Sequence, residues 1–99
     1  MSKTSFDEAK NLNFKTLQQY VPIVERVHGS NHPEFHEVRE LFDAINAKAK
    51  KAGSNLPELN EEFAKLRAIT DNYTIPKDAC EAFTAVYNML AAVDKAYHD

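Results

Sequence analysis

VHGSNHPEFHEV, residues 27–38, places His28, His32 and His36 at four-residue spacing. On one unbroken helix the three imidazoles would share a face and offer a surface site for zinc or nickel. Gly29 and Pro33 argue against an unbroken helix. Glycine just past a helix is a natural left-handed cap. Proline suits the first helical position, because its missing N–H would be unpaired there anyway. The stretch therefore reads as a corner: His28 ends one helix, His32 caps the next, and His36 lies in its first turn. At about 100° per residue, His36 points roughly 170° from the centre of its helix's apolar stripe and is expected in solvent.

Working outward from the corner, the punctuation predicts four helices, at about 6–28, 33–52, 57–72 and 76–97. Ser5 and Glu8 have the spacing of a capping box, which predicts a start near Phe6. The first apolar stripe is Phe6, Ala9, Leu17, Tyr20, Val21, Val24 and Val27, and Pro22 inside it predicts a kink. The second stripe runs through Phe35, Val38, Leu41, Phe42, Ile45, Ala49 and Ala52, and stops at Gly53. Pro57 and Pro76 open the third and fourth runs, which carry Phe63 and Leu66, and Phe83, Val86, Tyr87, Leu90, Val93 and Tyr97. No stretch alternates with period two for long enough to be a strand. Short connections force neighbouring helices antiparallel, so the expected fold is all-α, a single up-down-up-down four-helix bundle over residues 1–99.

With 43% apolar and 27% charged residues in 99, the composition is that of one globular domain. A formal charge of −3 gives no reason to expect a nucleic-acid partner. KAKK at 48–51 is the one basic run, and it reads as a helix C-terminus answering the macrodipole. No apolar run approaches a membrane span, and MSKTSFDEAK lacks a signal-peptide centre, so no membrane partner and a cytoplasmic location are expected. The single cysteine, Cys80, fits a reducing compartment.

Catalytic chemistry is hard to place. Cys80 is predicted in the first turn of the fourth helix, where a helix N-terminus favours a thiolate, and it is the redox candidate. Its packing role is expected to be half-buried. No Ser-His-Asp or Cys-His arrangement is evident, and two glycines leave no phosphate loop. The chain is not expected to be an enzyme. Among inward positions the second helix offers no His, Asp or Glu. The first offers Lys10 and Asn13, and the third and fourth have Glu62 and Asp94 at their flanks. The expected interior is apolar, with no cofactor. His98, without an evident intramolecular partner, is expected to fray.

Two blocks, VERVHGSNHPEFHEVRELFDAI (24–45) and LRAITDNYTIPKDAC (66–80), resemble the iron-sulfur cluster repair di-iron (RIC) proteins, which belong with the hemerythrin-like proteins. The resemblance covers most of residues 17–98. It implies a hemerythrin-like bundle around two irons, held by inward His and Glu, and a role in restoring clusters damaged by nitric oxide or peroxide. Such a centre takes about five to seven carboxylate and imidazole ligands. The chain departs from that pattern where the ligands belong. Phe6 or Asp7 stands where the family has a first-helix His, and Ala52 stands where the second helix carries another. The connection before the third helix is shortened to SNLPELNEE. Only His98 matches the ligand pattern that ends the family's fourth helix, and the family's N-terminal cysteine segment has no counterpart.

The leading expectation is a metal-free relative that acts by contact with another protein or with its own copies, including a dimer. The alternatives are an active di-iron repair protein, and a small surface metal site at His28, His32 and His36. His98 is a further weak metal candidate.

Overall fold

Four helices form the regular structure of the described residues: α1 Lys3–His28, α2 Glu34–Ala52, α3 Asn60–Ile69 and α4 Glu81–His98. The computed structural model describes residues 3–53 and 55–98. Met1, Ser2, Ser54 and Asp99, which figured in the reading of the termini and of SNLPELNEE, lie outside them. No strand is present among the described residues, so the expected all-α bundle is what forms.

Side-chain contacts give the directions. Phe6 meets Tyr97 at one end of the molecule and His28 meets Phe83 at the other, so α1 and α4 are antiparallel. Phe14 against Phe42 and Glu25 against Arg39 make α1 and α2 antiparallel. Phe63 against Tyr97 and Arg67 against Asp94 do the same for α3 and α4. The order is up-down-up-down. At about 1.5 Å per residue, the 26 residues of α1 match the 37 Å long axis.

The apolar stripes meet in one core that includes Phe6, Phe14, Leu17, Phe35, Phe42, Phe63, Phe83, Leu90 and Tyr97. Each fully buried side chain of this kind contributes about 1.5–3 kcal/mol. Val27 departs from its predicted stripe. It is 59% exposed, because the last turn of α1 gives its inner face to His28 instead.

Several helix ends differ from expectation, each for a local reason. Ser5 lies inside α1, which begins at Lys3, so it is not the cap of a box with Glu8. Pro22 does lie inside α1, as its place within the first stripe predicts. Gly29 does not adopt a left-handed conformation; among the glycines only Gly53 does, with φ 59°. Gly29 is required by close approach instead. A Cβ there would lie 2.4 Å from the Glu25 carbonyl oxygen and 3.0 Å from the His36 ring. Pro57 does not open α3. Its carbonyl accepts from the Tyr97 hydroxyl at 2.8 Å, while the Leu59 N–H donates to the same hydroxyl at 2.9 Å. Tyr97 thus holds the connection non-helical until Asn60.

α3 stops at Ile69, not near 72, because Asp71, Asn72 and Tyr73 all have positive φ. Each such residue costs about 1–2 kcal/mol. The Thr70 hydroxyl organises the turn by donating to the Leu66 carbonyl and accepting the Tyr73 N–H. Pro76 then opens a turn closed by Ala79 N–H to its carbonyl at 3.2 Å, and α4 begins only at Glu81. α3 has ten residues against eighteen in α4, and Tyr73 of the turn that follows α3 reaches Asp94 on α4.

Candidate functional site

The corner gathers the residues singled out by chemistry. His28 is the last residue of α1, and its ring packs edge-on against Phe83 at 5.3 Å. His32, in the connection to α2, meets the same Phe83 at 5.1 Å. The two imidazole centroids are 6.3 Å apart. Phe83 is completely buried, so the first turn of α4 is the floor on which both histidines rest.

Cys80 lies just before α4, not in its first turn. Its carbonyl accepts the Thr84 N–H at 2.9 Å, and its sulfur lies 3.5 Å from the Phe83 N–H. It is exposed, not half-buried as expected, because the helix starts late and leaves it on the rim. The His28 Nε2 is 3.3 Å from the Cys80 sulfur, within hydrogen-bond reach of the thiol.

His32 Nε2 lies 2.9 Å from both oxygens of Asp78, and its Nδ1 lies 3.2 Å from Glu34. The Asp78 hydrogen bond, opposed by burial and aided by both carboxylates, raises the His32 pKa above its ordinary value. The same hydrogen bond lowers that of Asp78. The sign follows from linkage. A raised His32 stabilises the fold fully below its unfolded value of 6.5, and that contribution disappears as pH climbs through the folded value. A lowered Asp78 contributes above 3.8 and loses its effect as pH falls below that. The stability difference between wild type and His32→Gln should therefore be widest between pH 3.8 and 6.5 and narrow as pH climbs above 6.5. Urea midpoints for both proteins across that range test this; a difference independent of pH would contradict the pairing.

His36 does not join the other two. It is exposed, as its angular position predicts, and its Nδ1 is 2.9 Å from Glu25. Glu25 also accepts from Arg39, and the Arg39 and His36 hydrogen bonds together hold its carboxyl below the usual range. The corner thus brings together His28, His32, Asp78 and Cys80 as two hydrogen-bonded pairs, with His36 tied to a third.

The interior holds a second polar group. Asp94 on α4 is buried, and its carboxylate accepts from Arg67 at 2.7 and 2.9 Å and from the Tyr73 hydroxyl at 2.7 Å. His98 Nδ1 lies 2.9 Å from the same carboxylate and 2.8 Å from the Asp94 carbonyl. His98 is therefore anchored, contrary to the expectation of a frayed, partnerless end. Burial and then the Asp94 hydrogen bond push the Tyr73 hydroxyl far up. Tyr87, buried near Glu34, is pushed up to about 12 by burial and then by that negative charge. Glu62, the other buried carboxylate, pairs with Lys48. Burial pushes Glu62 up, but the Lys48 hydrogen bond, a backbone hydrogen bond and the charges of Lys48 and Lys65 together outweigh it, and the net shift is down. Its Oε1 has no hydrogen-bond partner.

The chain is similar to an iron-sulfur cluster repair protein. That relative, ScdA of Staphylococcus haemolyticus (strain JCSC1435), is 21% identical over 128 aligned positions, which take in 98% of this chain and 58% of ScdA. The chain thus spans less than two thirds of its relative's length. No family model matches the chain, and no solved structure matches it.

The resemblance of the two sequence blocks implies a di-iron centre, so the donors can be tested against one. They do not fit. Among the described residues, no group of three or more His, Cys, Asp or Glu side chains is placed to hold a metal ion. Among the described residues the buried carboxylates are Asp94 and Glu62, and each is held by cations of this chain. The four histidines lie at the corner and at the end of α4, not across the middle of the bundle.

Sequence reasoning missed Asp78, Glu25, Arg67 and Tyr73 as partners. The pair Asp94 and His98 was open to discovery, since i,i+4 residues share a helix face. The others lie on different elements, and no spacing in the sequence could have joined them. No helix among the described residues is long and apolar enough to cross a membrane.

Proposed function

We propose that this chain is a compact, metal-free and non-enzymatic relative of the iron-sulfur cluster repair proteins, acting in cluster repair under nitrosative or oxidative stress through contact with a partner protein. The observation that carries this reading is the occupation of the inward carboxylates. Asp94 is taken by Arg67, Tyr73 and His98, and Glu62 by Lys48, where a di-iron protein needs free ligands. The similarity to ScdA supports the repair role. The corner blocks are kept, and Phe83 packs them together.

Iron analysis of protein purified without chelator should give well under one iron per chain. A content of about two, the stoichiometry of a di-iron bundle, would reject the metal-free reading. The repair role is tested separately. Cells with and without the chain are exposed to nitric oxide, and recovery of an iron-sulfur enzyme is followed. Faster recovery with the chain is expected, and equal recovery would reject the role.

A further inference from the structure

The functional reading leaves a groove on the bundle surface unused. It lies between α1 and α2, about 290 Å³ in volume, and is lined by Lys10, Asn11, Phe14, Lys15, Gln18, Asn46, Ala49 and Lys50. Phe14 and Ala49 are buried and form an apolar floor. Three lysines and three side-chain amides form the walls, and no carboxylate lines it. None of the ion pairs among the described residues uses Lys10, Lys15 or Lys50. Lys48, by contrast, two residues before Lys50, is paired with Glu62. In a chain of net charge −3, three unpaired cations around one hollow form a local reversal of sign.

We propose that this groove binds a small, multiply charged oxyanion, of the phosphate or polycarboxylate class. Three ammonium groups supply point charges with rotatable donors, which suit oxyanions of either geometry. Asn11, Gln18 and Asn46 add neutral N–H donors, and the Gln18 amide N–H already donates to the Asn46 side-chain oxygen at 3.3 Å across the groove. The volume stands at the lower end of small-molecule pockets, roughly 300–1,000 Å³, which favours a compact anion. The site is independent of the repair reading, since its residues take part in neither the corner nor the Asp94 network. It also assigns Lys50 a role beyond complementing the α2 dipole.

The test is titration of the full chain with pyrophosphate and, separately, with citrate, at ionic strength held constant with potassium chloride. Backbone and side-chain amide signals are followed by two-dimensional nuclear magnetic resonance. Saturable shifts of the Asn11, Gln18 and Asn46 side-chain amides are expected with at least one anion, and the two arms tell phosphate from carboxylate chemistry. The double variant Lys15→Gln/Lys50→Gln removes two exposed charges and should weaken binding at least tenfold. Lys77→Gln, which removes one charge at the other end of the bundle, should leave it unchanged. Unsaturable shifts, equal loss in Lys77→Gln, or a response only to a DNA duplex would each overturn the proposal.

Discussion

Phe83→Ala should lower the unfolding free energy by about 3–5 kcal/mol, the range for deleting a buried aromatic ring. The ring has no exposed surface. It touches Tyr87 at 4.9 Å, His32 at 5.1 Å, Phe35 at 5.2 Å and His28 at 5.3 Å, all edge-on. These neighbours come from α1, the corner, α2 and α4, so no single element can move in to fill the void. A domain of this size has about 5–15 kcal/mol in total, so the variant should be close to unfolding on mild heating. Phe83→Leu keeps much of the volume and should cost well under half as much. Urea unfolding of both variants gives the comparison. A loss below about 1 kcal/mol for the alanine variant would mean that the corner does not rest on this ring.

Asp94→Ala should cost about 3 kcal/mol, the lower end for removing one partner of a buried charged pair. The carboxylate is 7% exposed, while its Arg67 partner is 38% exposed. Arg67 can therefore recover some water, which keeps the expected loss at that lower end. Tyr73 is half-buried, and its hydroxyl would be left without its acceptor. The Tyr73 contact also holds a residue with φ 61° in the turn that ends α3. Asp94→Asn keeps an acceptor for Tyr73 and should recover part of the loss. Tyr73→Phe alone should cost about 1 kcal/mol. A double-mutant cycle over Asp94 and Tyr73 isolates their coupling. Additive losses in that cycle would show that the two groups stabilise the fold independently.

These two centres differ in how far the sequence revealed them. The ring at Phe83 falls on the apolar stripe of its helix, and its burial follows from periodicity. Its place beneath His28 and His32 does not, because that depends on how α1 and α4 meet. Asp94 reads as a flank position on the same helix. Only the packing of α3 and its following turn reveals a network of Arg67, Tyr73 and His98 around it. The corner shows the same division. Gly29 and Pro33 separate the three histidines into different local settings, and the exposed position of His36 follows from its angle. The partners Asp78, Glu25 and Cys80 come from other segments, and short-range patterns are silent about them.

Taken alone, the sequence determined the helical class, the number of helices, the corner at residues 28–33 and most of the core. Hydrophobic periodicity and backbone restrictions at glycine and proline act within one or two turns, and can be read along the chain. Tertiary structure decided where α3 and α4 begin, why Gly29 has no room for a side chain, and which charges pair. A proline that permits a helix start does not compel one. At Pro57 the Tyr97 hydroxyl, forty residues away in the chain, occupies the backbone groups first. Ion pairing and helix ends depend on groups that the fold brings together through space, and that information is not local.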